Sequence, residues 1–183
     1  MDLEVRAAAD GDLAVLPEIE RGADGLFRPL GIVFPPGPTV IEELIGTDAD
    51  IIVAGDPPVG FAAVRDVDGA AYLEQIAVRA GLTGRGIGVP LLEAVRSRAA
   101  AAGSPGVALL TFRDVPWNMP WYERHGFAEL PEARWGPGLR AHWDAEIEAG
   151  LHELGPRVVM WAPTSRPAAC GAAAGTPSTP SAG

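Results

Sequence analysis

Short apolar blocks, each bounded by turn residues, dominate the first half of the chain. Ile51-Ile52-Val53-Ala54 and residues 59–65 are two such blocks joined by Gly55-Asp56-Pro57-Pro58, and their β-branched content predicts a hairpin. A second turn at Asp68-Gly69 leads into residues 71–78, which read as a buried strand. From residue 87 to 102 the period lengthens: Leu91, Leu92 and Val95 recur at helical spacing, and Gly103 supplies the stop. Nearer the start, residues 3–7 read as a short strand. Asp12 then caps a helix with Leu13, Leu16 and Ile19 on one face, which Pro17 should disturb. After the Pro- and Gly-rich loop 31–38, Thr39 can cap a short helix through Ile45. Downstream, residues 107–112 form a strand, 119–125 a short helix before Gly126, 139–149 a helix stopped by Gly150, and 157–161 a closing strand.

The resulting order, β α α β β β α β α β α β, puts hairpins first and one βαβ unit later. It predicts a single α/β domain with a mixed sheet over residues 1–161. With 183 residues, 48% of them hydrophobic, the chain can bury one sizeable core but not two. The Ala, Pro, Ser, Thr and Gly of residues 162–183 predict a disordered tail, which makes Cys170 an idle thiol and not a nucleophile.

Charge and cysteine content narrow the partners. A formal charge of −10 argues against nucleic acid, because neutralising phosphates needs clustered Arg and Lys. The chain contains no lysine, which also removes a Walker-type phosphate loop. One cysteine allows neither an intramolecular disulfide nor a thiolate metal cluster and suits a reducing compartment. Residues 1–10 lack a basic and apolar leader, and no apolar run reaches membrane-span length, so a cytoplasmic protein without a membrane partner is expected.

Leu82-Thr83-Gly84-Arg85-Gly86-Ile87-Gly88 lies between a strand and a helix. Such a loop frees backbone N–H groups at a helix N-terminus, where the partial positive charge favours phosphate. Its glycines permit close approach and positive φ, and Pro90 fits the first helical turn. An ordinary tight turn would look the same, and a dinucleotide fingerprint fails at Val89.

Together with Ile76-Ala77-Val78 before it and the apolar helix after it, Gly84-Arg85-Gly86-Ile87-Gly88 closely resembles motif A of the GNAT superfamily of N-acetyltransferases. The run from Asp114 to Phe127 resembles motif B of the same family: Asn118 at the end of a strand, Tyr122 on a short helix, and Gly126-Phe127 opening the next strand. The resemblance covers most of residues 3–161. It implies the GNAT fold, a splayed mixed sheet of about six or seven strands flanked by helices. Acetyl-coenzyme A would enter between strands 71–78 and 107–112. The cofactor set it implies is Ile76, Ala77 and Val78 for the pantetheine and Gly84, Arg85, Gly86, Ile87, Gly88 and Val89 for the pyrophosphate, with Asn118. One departure is Thr83, where the family usually has Arg or Gln.

Acetyl transfer from a thioester to an amine needs a neutral amine, a polarised carbonyl and a proton for the departing thiolate. The resemblance gives the carbonyl to a backbone N–H near Val78 and the thiolate's proton to Tyr122. It makes Glu74, which alternation puts on the same face as Tyr72 and Ile76, the acceptor of the amine proton. The structural alternatives are a core tyrosine and a carboxylate that only anchors substrate. Glu20, Asp24 and Phe27, in the region where the family builds its acceptor site, and Trp117 are the substrate-binding candidates, the acidic ones suiting an ammonium group. His125, His142 and His152 show no metal-ligand spacing, so no metal is expected. The favoured activity is direct acetylation of a primary amine on a small molecule. The alternatives are acetylation of a protein N-terminus or lysine, or a non-catalytic acyl-coenzyme A sensor module; a homodimer stays open.

Overall fold

In the computed structural model, which describes residues 3–164, seven strands form one mixed sheet. They are β1 (Val5–Ala7), β2 (Asp50–Ala54), β3 (Gly60–Val67), β4 (Ala70–Val78), β5 (Gly106–Phe112), β6 (Ala128–Glu129) and β7 (Arg157–Pro163), ordered β1-β2-β3-β4-β5-β7-β6. The α-helices are α1 (Leu16–Asp24), α2 (Val40–Leu44), α3 (Gly88–Ala101), α4 (Met119–Arg124), α5 (Pro137–Glu148) and α6 (Leu151–Leu154). None is long and apolar enough to cross a membrane. Leu91, Leu92 and Val95 of α3 pack with Leu73, Leu109 and Met160 against one sheet face. Leu16 and Ile19 of α1 and Ile41 of α2 pack with Val53, Phe61 and Ala77 against the other.

Two local expectations change. Pro17 falls in the first turn of α1, where a missing N–H costs nothing, so it opens the helix after a 3-10 turn at Asp10–Val15 and does not disturb it. The closing strand runs past residue 161: Ala162 is fully buried opposite Val107, and Pro163 stands opposite Gly106. A small methyl packs well there, so a composition typical of a tail still contributes a strand end. Cys170 and the rest of the expected tail lie outside the described residues.

Strand β4 positions the site through two irregularities. It pairs with β5 in parallel only at Ala71↔Val107 and Tyr72↔Ala108, and then the strands part. Its antiparallel register with β3 slips between Ala63↔Gln75 and Val64↔Leu73, which leaves Glu74 as the extra residue of a bulge. Period-two alternation fails at that bulge. Tyr72 packs with Leu130, Leu139 and Val159 on one side, whereas Ile76 joins the α3 core on the other. Glu74 therefore shares a side with Tyr72 and not with Ile76.

Two carboxylates, one exposed and one buried, tie the helices to this strand. Asp68, in the left-handed turn after β3 (φ 56), accepts hydrogen bonds from the Gly138 and Leu139 N–H groups at 2.8 and 2.9 Å and so seats α5. A Cβ at Gly136 would lie 2.5 Å from the Asp68 carboxylate, which explains the glycine there. Glu20 on α1 is 2% exposed and accepts from the N–H groups of Val40 and Ile41 at the start of α2, each at 2.9 Å, and from Gln75 Nε2 on β4 at 2.8 Å. Glu20→Ala would leave these three donors without their acceptor. The expected loss is on the order of 3 kcal/mol, to be checked by chemical denaturation; a variant as stable as wild type would show that the joint carries no load.

Candidate active site

Where β5 leaves it, the edge of β4 from Leu73 to Val78 has no neighbouring strand. The Ile76 N–H donates instead to Gln75 Oε1 at 3.0 Å. The Arg79 N–H bonds Val59 of the neighbouring chain segment at 2.8 Å, so by alternation Ala77 faces β3 and Val78 faces the opening. At the end of this edge, Gly84 and Gly86 are left-handed (φ 75 and 80), and a Cβ on either would meet open space. The backbone N–H groups of Gly84, Arg85, Gly86, Ile87 and Gly88 have no acceptor among the described residues. They converge on the N-terminus of α3, whose dipole adds positive potential. The Val89 N–H is spent on the Gly86 carbonyl at 3.1 Å.

Helix α4 covers that terminus. Asn118 holds its first turn by accepting at its carbonyl from the Trp121 and Tyr122 N–H groups at 2.8 and 3.0 Å. Trp121 lies against Gly88, where a Cβ would come within 3.4 Å of the indole. The Tyr122 ring is buried with Ile87, Leu91 and Phe127, and its hydroxyl has no hydrogen-bond partner among the described residues. Burial raises its pKa, so the proton stays on at neutral pH.

On the other sheet side, Glu74 Oε1 lies 3.2 Å from His142 Nε2 of α5 and 3.9 Å from an Arg65 guanidinium nitrogen. The imidazole packs against Tyr72, ring centroids 4.3 Å apart and planes inclined by 47°. The Glu74 hydrogen bond raises the pKa of His142 against the opposing effect of burial. Below this group, Glu146 forms a paired contact with the nearly buried Arg157, whose guanidinium sits 4.3 Å over the Phe112 ring at the end of β5. Phe112, Phe27 and Phe34 form an aromatic cluster that Trp117 joins through Phe27, at 5.4 Å between centroids. Trp117, 41% exposed, lies at its outer edge. Asp24, the last residue of α1, is half-buried with no hydrogen-bond partner among the described residues. Burial, with the Glu20 charge one turn earlier, pushes its carboxyl up to about 6.

The family model described as Acetyltransferase (GNAT) domain matches residues 47–129. An uncharacterized N-acetyltransferase, YjcF of Bacillus subtilis (strain 168), is 32% identical over 98 residues, which are 53% of this chain and 68% of that one. The chain belongs to the GNAT superfamily. It is an acyltransferase of the N-acetyltransferase type. Among solved structures, the ribosomal-protein-S18-alanine N-acetyltransferase of Escherichia coli superposes with a TM-score of 0.64 at 19% identity, over 90% of this chain and 95% of its own. The PaiA N-acetyltransferase of Thermoplasma acidophilum in complex with coenzyme A superposes at 0.61 with 16% identity, over 89% and 99%. At these identities the likeness concerns the fold.

Within that GNAT fold the structure sorts the sequence candidates. Ile76 and Val78 lie on the open edge, while Ala77 is buried in the α1 core opposite Phe61 and offers that edge nothing. Gly84, Gly86 and Gly88 offer free amides, as do Arg85 and Ile87. Val89 drops out because its amide is engaged. Glu20 is a structural joint, not an acceptor-site group: both its oxygens are taken by backbone and by Gln75. Phe27 and Trp117 come together, and Asp24 stands one turn beyond Glu20. His142, Phe112, Phe34 and Arg157 were not legible as site residues. The only local hint was that His142 follows Gly138 at helical spacing, and nothing links it to Glu74, 68 residues earlier.

Asp24 permits a test. Its folded pKa lies above its ordinary value, so the stability it contributes is complete below about pH 4 and is lost as pH rises through about 6. Asp24→Asn, neutral throughout, should melt about 3 °C above wild type at pH 8, roughly 1 kcal/mol once solvent screening is discounted. At pH 4 the two should coincide. Thermal melts across this range check it; parallel curves at both pH values would mean that Asp24 is not held against its preference.

Proposed function

We propose that this GNAT enzyme transfers the acetyl group of acetyl-coenzyme A to the primary amine of a small molecule with an apolar body, by direct attack. The observation that carries the reading is the open β4 edge running into five consecutive unengaged amides at Gly84–Gly88. Those donors, with two left-handed glycines that leave room for close approach, fit a pyrophosphate, and the exposed Arg85 stands beside them. Coenzyme A complexes among the structural neighbours, such as N-acetylglutamate synthase of Neisseria gonorrhoeae with coenzyme A and N-acetyl-glutamate, support the same cosubstrate class.

Bound acetyl-coenzyme A supplies the acetyl thioester and a thiolate leaving group. The residues of the chain do the rest. The Ile76 carbonyl on the open edge orients an extended chain by a strand-like hydrogen bond, and the Val78 N–H polarises a carbonyl placed there. Tyr122 donates its hydroxyl proton to sulfur; burial raises its proton affinity, so at neutral pH the proton is present to be given. Glu74 takes the proton released by the amine. Phe27, Phe112, Phe34 and Trp117 receive an apolar body, and Asp24 favours a cation at the mouth. A cytosolic setting, without nucleic acid or membrane as partner, belongs to this reading. It is tested by a panel of arylalkylamines, polyamines and peptides incubated with acetyl-coenzyme A and followed by free thiol release. Turnover confined to peptides would replace the small-molecule acceptor with a protein one.

Two substitutions probe the machinery. Gly86→Val meets no steric obstacle but is strained at φ 80 by about 1–2 kcal/mol, and its side chain fills the space over the amides. Calorimetry should show coenzyme A binding abolished in a folded protein; wild-type affinity would remove the loop from the site. Tyr122→Phe keeps the ring and loses an unpartnered hydroxyl, so its melting temperature should hold while turnover falls by about 10²-fold. Near-wild-type turnover in this variant, with the same amine, would rule out Tyr122 as the acid.

A further inference from the structure

We propose that His142 is a positioning residue that completes the base: Glu74 passes the amine proton to His142 Nε2, and the imidazole returns it to solvent. The inference rests on the reading of Glu74 as proton acceptor and extends it to a residue on a different element.

Three observations support it. Glu74 Oε1 and His142 Nε2 are 3.2 Å apart, and the second ring nitrogen, Nδ1, lies 2.9 Å from the Gly138 carbonyl. That carbonyl only accepts, so Nδ1 carries a hydrogen and the Nε2 lone pair faces Glu74. A neutral imidazole beside an ionised carboxylate therefore lacks one proton along the Oε1 to Nε2 line, and that line is where an incoming proton comes to rest. The Glu74 side chain is 12% exposed and that of His142 28%, so the imidazole is the more exposed member of the pair. The ring is held in place: Tyr72 packs against it at a tilt, the Gly138 carbonyl takes Nδ1, and Asp68 pins the start of its helix.

The proton balance closes. One amine N–H bond breaks as an O–H bond forms at Glu74; that O–H is given up as Nε2–H forms, and after transfer the proton shared between Oε1 and Nε2 passes to water at the exposed edge of the pair, restoring the carboxylate and the neutral imidazole. An isolated carboxylate, ordinarily near 4.3, holds a proton poorly at neutral pH, whereas an imidazole near 6.5 is matched to it. The titratable groups facing His142 are Glu74 and the neutral Tyr72 from β4 and Arg65 from β3; Asp68 bonds the first turn of its helix, and one helical turn on, Glu146 is paired with Arg157. Of these, Glu74 and the Gly138 carbonyl favour the imidazolium and Arg65 opposes it, with a net rise.

The test combines a titration with a rate profile. The His142 imidazole resonance, followed by NMR in the full chain, should titrate above its ordinary value in wild type and lower in Glu74→Gln, where the carboxylate partner is gone. With acetyl-coenzyme A and phenethylamine, the acid limb of kcat/KM should follow the wild-type midpoint. His142→Gln still fills the site but cannot store a proton. It should lower kcat/KM at pH 7.5 by about 10-fold or more and displace the acid limb, with coenzyme A affinity unchanged. An unmoved acid limb in His142→Gln, or an identical imidazole midpoint in Glu74→Gln, overturns the relay and leaves Glu74 as the base. Full activity in Glu74→Gln overturns the underlying reading as well. If phenethylamine is not acetylated at all, the titration alone decides the coupling.

Discussion

Everything at this site depends on the parting of β4 from β5 after two parallel pairs. Parallel strands that stay paired satisfy their own edges, and a satisfied edge has nothing to offer a ligand. Here β5 turns its other edge to β7 along its whole length, from Gly106↔Pro163 to Phe112↔Arg157, so the opening does not cost β5 its stability. On the β4 side the cost is partly offset locally, since Gln75 folds its own amide oxygen back onto the Ile76 N–H. The bulge at Glu74 follows from the same geometry: it turns one carboxylate out of the regular alternation and towards α5.

The helices are held to this open strand by polar joints as much as by apolar packing. Glu20 joins α1 and α2 to Gln75, Asp68 seats α5, and Arg157 with Glu146 fastens the far end of α5 to β7. Each joint lies within one or two residues of β4 or of the aromatic cluster behind β5. A buried carboxylate with all its partners satisfied fixes geometry sharply, because any displacement leaves donors unpaired in a place water does not reach. Asp24 is the exception: it is half-buried and unpartnered, next to the aromatic lip formed with Phe27 and Trp117. Stability alone gives no reason to keep a charge there.

The two sides of the sheet divide the chemistry. The side of α3 and α4 supplies free amides and the Tyr122 hydroxyl, groups suited to a phosphate and to a leaving thiolate. The side of α5 and α1 supplies carboxylates, an imidazole and aromatic rings, groups suited to an amine. On the proposed reading, reactants brought from opposite faces would meet at the opening between β4 and β5.

Local features were legible in the amino-acid sequence because local chemistry produces them. The left-handed glycines of the loop, the Thr39 cap of α2, the hairpins and the α3 period all follow from neighbours within a few residues. The motif around Asn118 and Tyr122 was readable only through its resemblance to motif B of the GNAT family. Pairings between distant residues were not: Glu20 looked like an acceptor-site charge until Val40, Ile41 and Gln75 took its oxygens, and Ala77 looked like cofactor backbone until β3 claimed it. His142 reached Glu74 only because Asp68 docks α5 against β4. Periodicity is a property of consecutive residues, and a one-residue bulge breaks it without any mark in composition; the face that Glu74 presents was therefore decided by the register of β3 against β4, which exists only once the sheet has formed.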